Sequence, residues 1–72
     1  AKPDPAVFLI AAQKLGYKPE DCIVVEDSQA GIQAANAVGM TSVGIGSKEV
    51  LYESKFLLEN TAQLTYEFLK EL

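Results

Sequence analysis

Two adjacent carboxylates, Glu26 and Asp27, follow the short apolar run Cys22-Ile23-Val24-Val25 and stand directly before Ser28. An apolar, β-branched run without polar alternation reads as a strand covered on both faces, as in a parallel sheet. In open α/β sheets, ligands bind outside the carboxyl ends of the strands, which is where this pair falls. Side by side in a partly enclosed place the two acids repel each other, and a hard cation is the simple way to keep both ionised. Magnesium suits them: it takes one or two protein carboxylates and fills its remaining positions with water and phosphate oxygens. Ser28 then opens a helix, whose first backbone N–H groups and positive dipole end favour a phosphate beside the metal. The same spacing also fits loop acids that are merely favourable at a helix start. Spacing alone does not choose between the two.

Other chemistry is quickly excluded. The sequence has no histidine, so neither a Ser-His-Asp nor a Cys-His arrangement can be assembled from it. One cysteine, Cys22, allows no disulfide within the chain and no Cys/His zinc site. In its apolar run it reads as a small core residue. Gly44-Ile45-Gly46 lacks the third glycine of a dinucleotide fingerprint, and Gly46-Ser47-Lys48 lacks the spacing of a phosphate-binding P-loop. Gly31, three residues after Ser28, either lets the helix approach the sheet closely or is a tolerated helix glycine. Lys2, taken alone, is a solvated surface charge. Tyr66 and Phe68 read as packing residues on a terminal helix.

The elements that must position Glu26 and Asp27 follow from the pattern. Asp4 is a good N-cap and Pro5 suits the first helical position. Val7, Phe8, Ala11, Ala12 and Leu15 then recur at helical spacing, and Gly16 supplies a left-handed stop, which predicts a helix over 5–15. Lys18 to Asp21 is a turn. The strand over 22–25 leads through Ser28 into a helix over 29–38, ended by Gly39. Met40 to Ile45 is a second strand, Lys48 to Tyr52 a helical turn and Lys55 to Leu58 a short third strand. Asn60 or Thr61 caps a last helix to 71, with Leu64, Phe68 and Leu72 on its apolar side.

Strands alternating with helices imply right-handed crossovers and a parallel sheet. A sheet of two or three such strands cannot cover both of its edges, and the first helix has no preceding strand to lie beside. The expected fold is therefore α/β: the C-terminal portion of a doubly wound, Rossmann-like parallel-sheet domain, separated from its central strands.

Composition agrees with a folded part of something larger. With 72 residues, 49% hydrophobic and 22% charged, the chain is globular in character but small. Below roughly 70–80 residues a fold usually needs a staple, and none is visible here. The opening Ala1-Lys2-Pro3, without a methionine, fits the same expectation. Six lysines against ten acids give a net charge of −4, which argues against nucleic acid, whose phosphates need a basic face. The apolar run Ala6 to Ala12 is far short of the ~20 residues that span a bilayer. A single cysteine suits a reducing cytoplasm.

Lys2-Pro3-Asp4-Pro5, the stretch Val24 to Ile32 with its Glu26-Asp27-Ser28-Gln29-Ala30-Gly31, and Ala35 to Met40 together resemble the haloacid dehalogenase-like superfamily. Its lysine motif and its acidic metal motif are both matched. The resemblance implies Mg2+-dependent phosphoryl transfer through an aspartyl-phosphate. By motif match, Lys2 is then the catalytic lysine that orients the phosphate and balances charge. Asp27 is a metal ligand, Glu26 a ligand directly or through water, and Ser28 helps to position the loop. Some members carry a further acid three or four residues after the metal aspartate; here Ala30 and Gly31 occupy those places.

The whole of 1–72 then corresponds to the C-terminal part of the core domain. No Asp-x-Asp pair occurs in the sequence, so the nucleophile, the acid/base aspartate and the substrate-selecting cap would lie in the remainder of the polypeptide. The wording around Glu26 and the ending Leu64 to Leu72 resemble the sugar-phosphate mutases of the superfamily. That implies a phosphorylated sugar as partner and interconversion of β-glucose 1-phosphate and glucose 6-phosphate in the cytoplasm, with no nucleic acid or membrane involved. Two alternatives stand beside it: a phosphatase of the same superfamily, and a non-catalytic α/β interaction module in which the acids are structural.

Overall fold

The computed structural model describes residues 4–72. Helix α1 spans Ala6–Leu15 and is followed by a 3₁₀ turn at Pro19–Asp21; then come strand β1 (Ile23–Glu26), helix α2 (Gln29–Ala37) and strand β2 (Thr41–Ile45). Strand β3 (Phe56–Leu58), a 3₁₀ turn (Thr61–Gln63) and helix α3 (Tyr66–Lys70) complete the chain. The sheet has the order β1-β2-β3, and both pairings are parallel, with Glu26 opposite Gly44 and Ile45 opposite Leu58. Lys2 lies outside the described residues.

The expected stops are present. Gly16, at φ 81°, donates to Gln13 O, and Tyr17 N–H donates to Ala12 O. This two-bond ending needs a left-handed residue, which only glycine adopts without cost. Gly39 ends α2 in the same conformation. The start of α1 is shifted by one residue: Asp4 Oδ1 accepts from Ala6 N–H at 3.1 Å, and Pro5 is the flanking residue rather than the first helical one.

Packing divides the molecule into layers. Ala12 of α1 meets Ala35 at the end of α2 and Met40 before β2, with Phe8, Cys22, Val24 and Val38 around them. Ser42 of β2 faces α2, since its hydroxyl reaches Asn36. Val43, the next residue, therefore points to the opposite face of the sheet. There it lies opposite Phe56, whose ring is met edge-on by Phe68 of α3 at 6.0 Å between centroids. β2 is thus covered on both faces, with Ser42, Val43 and Gly44 all buried.

β1 differs from the sequence expectation. Ile23 and Val25 are each 42% exposed, so only one face of β1 is covered by the described residues. Helix α3 meets the sheet at β3, through Phe68 and Phe56, at the opposite edge from β1. An apolar groove of about 400 Å³ runs between α1 and β1, lined by Phe8, Ala11, Leu15, Cys22, Ile23 and Met40 among others.

Lys48 to Tyr52 contains the expected single helical turn, with Val50 and Leu51 N–H both donating to Ser47 O. One further expectation is corrected. The last helix is broken in two. Asn60 caps Thr61–Gln63, Leu64 leaves helical geometry at ψ 81°, and Thr65 caps α3 afresh by accepting from Phe68 N–H.

Candidate active site

Because all three strands are parallel, their carboxyl ends gather on one side of the sheet. A cleft of about 250 Å³ opens there, lined by Val25, Glu26 and Asp27 from the end of β1, Ile45 from the end of β2, and Thr61 beyond β3. The two carboxylates singled out from the sequence therefore share one cavity with Thr61. Asp27 is exposed and Glu26 half-buried.

The turn after β1 is held by its own side chains. Ser28 sits in extended geometry as the N-cap of α2, and its Oγ accepts from Gly31 N–H at 3.1 Å. The same hydroxyl donates to Glu26 Oε1 at 3.0 Å, and Ser28 N–H donates to that oxygen at 3.3 Å. A serine at the cap satisfies one orphan helix donor. Here it also fixes one oxygen of a neighbouring carboxylate and leaves Oε2 of Glu26 for another partner.

The donor set of the cleft bears on which cation it suits. Among the described residues no cluster of three or more acid, cysteine or histidine side chains occurs. What the cleft offers is two carboxylates and a threonine hydroxyl, all hard oxygen donors. A cation such as Zn2+ would want a closed set with nitrogen or sulfur. Mg2+ needs no such cage, and two carboxylates with water and phosphate are its ordinary company. The residues fit Mg2+.

Thr61 was not anticipated as a site residue, only as a helix cap. The signal was nonetheless available: Phe56–Leu58 is a third parallel strand, and the same carboxyl-end rule that selects Glu26 selects the residues just after it.

A model of haloacid dehalogenase-like hydrolases matches residues 1–39, more than half of the chain. The chain belongs to that family. Among its relatives, the β-phosphoglucomutase of Bacillus subtilis is 41% identical over 70 residues, covering 97% of this chain and 31% of the relative. A fructose-1-phosphate phosphatase of Escherichia coli is 50% identical over 44 residues, covering 61% of this chain and 23% of the relative. Among solved structures, a β-phosphoglucomutase from Clostridium difficile superposes with a TM-score of 0.93 at 41% identity, over 99% of this chain and 32% of that one. A haloacid dehalogenase-type hydrolase from Entamoeba histolytica gives 0.80 at 31% identity. The chain spans about a third of the length of the mutases it matches. Its relatives within the family thus include both phosphatases and a phosphomutase.

Proposed function

We propose that these 72 residues are the C-terminal part of the core domain of a cytoplasmic, Mg2+-dependent β-phosphoglucomutase. The enzyme would interconvert β-glucose 1-phosphate and glucose 6-phosphate through an aspartyl-phosphate. The carrying observation is the shared cleft: Glu26 and Asp27 lie together at the carboxyl ends of a parallel sheet, in a family of phosphoryl-transfer enzymes. The mutase reading is favoured because identity to a mutase stays at 41% over 97% of the chain, including α3, whereas the hydrolase structure that covers 99% of it is 31% identical. No helix among the described residues is long and apolar enough to cross a membrane.

In this reading Asp27 and Glu26 hold the ion, which when bound supplies positive charge to the phosphoryl oxygens. Ser28 holds Glu26 and starts α2, so the loop is set before substrate arrives. Lys2 orients the phosphate and balances the charge of the attacking aspartate. That aspartate, its acid/base partner and the cap come from the rest of the polypeptide, and the 72 residues alone are expected to be inactive. The remainder would also cover the exposed face of β1 and the apolar groove beside α1. Among the described residues β1 pairs only with β2, so its other edge can receive a further strand.

The test uses the full parent protein with β-glucose 1-phosphate. Asp27→Asn should lower activity by roughly 100-fold or more and weaken Mg2+ binding, with circular dichroism unchanged. Lys2→Ala should lower kcat at saturating Mg2+, because charge balance belongs to the transition state. An unchanged rate and Mg2+ affinity in Asp27→Asn would remove Asp27 from the metal site, and absence of turnover by the unaltered parent protein would favour a non-catalytic module.

A second reading has its own support in the 50% identity to a fructose-1-phosphate phosphatase. Water rather than a sugar hydroxyl would then accept the phosphoryl group. Release of inorganic phosphate without formation of glucose 6-phosphate would establish it.

A further inference from the structure

Gly31 occupies the first turn of α2, where a glycine is costly to the helix by about 1 kcal/mol relative to alanine. The sequence left two explanations, close approach to the sheet or simple tolerance. The structure supplies a third. A Cβ built on Gly31 would overlap Cγ and Cδ of Glu26 and come within 2.5 Å of its Oε1; its three nearest neighbours all belong to that one side chain. The space left open by the glycine is filled by the Glu26 carboxylate.

The backbone of the same residue is engaged as well. Gly31 N–H donates to Ser28 Oγ at 3.1 Å, and Ser28 Oγ–H donates to Glu26 Oε1 at 3.0 Å. One residue therefore provides both the room for the carboxylate and the first link in the hydrogen-bond chain that holds it. We propose that Gly31 is a positioning residue for Glu26: its missing side chain lets the carboxylate fold back onto Ser28, so that Oε1 is committed to the protein and Oε2 is the oxygen left for the cation or its water. This rests on the assignment of Glu26 and Asp27 to Mg2+. It adds that the acid works only in the folded-back position, and that any β-carbon at position 31 expels it.

Gly31 differs from an ordinary helix glycine in the sign of what alanine does there. Alanine in a helix is better than glycine when nothing is displaced. At position 31 the helix should tolerate or welcome alanine while the carboxylate is displaced, so stability and metal affinity should move independently.

The experiment is a double-mutant cycle in the full parent protein, with Mg2+ affinity read by calorimetry in the absence of substrate and melting temperature read alongside. Gly31→Ala is expected to raise the Mg2+ Kd by roughly 10- to 100-fold, the range seen when groups that orient metal ligands are lost. In a Glu26→Ala background the same change should have no further effect on Kd, because the side chain it displaces is gone. If Gly31→Ala does not fold, the double variant should fold, since removing Glu26 removes the overlap. Wild-type Mg2+ affinity in Gly31→Ala would overturn the proposal, as would an undiminished effect in the Glu26→Ala background or a double variant that also fails to fold. Should Glu26→Ala and Asp27→Asn both bind Mg2+ normally, the assignment of the metal falls, and the role of Gly31 falls with it. Normal affinity in Gly31→Ala alone, with both acid variants impaired, would overturn only the role of Gly31.

Discussion

The hydroxyl of Ser42, wholly buried in β2, donates to Oδ1 of Asn36 in α2 at 2.7 Å. It also accepts from Lys55 N–H at 3.0 Å, so one side chain joins the central strand, the helix behind the site and the segment entering β3. Ser42→Ala leaves both partners short of a bond. An unmade hydrogen bond at a buried position costs about 1–3 kcal/mol, and that loss is expected in urea unfolding of the full protein. Mg2+ affinity should be little changed, since Ser42 does not touch the cleft. Equal stability of the variant would show that water replaces the hydroxyl without cost.

Ile32 tests the packing under α2 in a different way. It is fully buried one residue beyond Gly31, and its N–H donates to Ser28 O at 3.1 Å. Ile32→Val should cost about 0.5–1.5 kcal/mol and Ile32→Ala about 2–5 kcal/mol, the second including the cavity left behind. Urea midpoints of the two variants supply the comparison. A smaller cost for alanine than for valine would contradict a close-packed site.

Much of the site could be read directly because it depends on local chemistry. Ser28 as a cap, the end of β1 at the two acids and the stops at Gly16 and Gly39 are each decided within a few residues. The misreadings arose where residues outside an element, or competing signals within it, decide. Ile23 and Val25 look like residues of a doubly covered strand, yet burial depends on what lies beyond the edge of β1. The last helix looked continuous because Leu64 and Phe68 keep helical spacing; two competing caps, Asn60 and Thr65, divide it. Gly31 was ambiguous for a related reason. Nothing in its helix reveals that the side chain of Glu26 lies over it.

Glu49 offers a test by pH. Ser47 Oγ–H donates to Glu49 Oε1 at 2.7 Å. That hydrogen bond, reinforced by Glu49's own backbone N–H, holds its carboxyl below the ordinary glutamate range. A carboxylate with a lowered folded-state pKa contributes stability above its unfolded value and loses it as pH falls through the folded one. Carbon-detected NMR titration should therefore place Glu49 below the ordinary glutamate range, and Ser47→Ala should return it toward that range. An unchanged Glu49 titration in Ser47→Ala would remove the hydroxyl as the cause. Because the group is exposed, the effect should shrink in high salt and leave thermal stability nearly unaltered.

Glu53 ties the loop after β2 along one face of α2. Its Oε1 accepts from Gln29 Nε2 at 2.6 Å and from Gln33 Nε2 at 2.9 Å, while its backbone oxygen accepts from Asn36 Nδ2 at 2.8 Å. Positions 29, 33 and 36 share a helix face, so a single residue spans most of α2. Gln29 follows the Ser28 cap directly, and its Oε1 is buried without a partner, which leaves its amide anchored through Glu53. Glu53→Ala removes the two side-chain bonds and keeps the backbone one. The bonds are exposed, so the expected loss is only about 1 kcal/mol, and it should be local. Amide exchange at Ile32 and Gln33 should quicken, whereas Val43 in β2 keeps its protection. Glu53→Gln retains one acceptor oxygen and should fall between. Equal acceleration in α2 and β2 would mean that Glu53 supports the fold as a whole, and no acceleration would mean that the capped first turn holds α2 unaided.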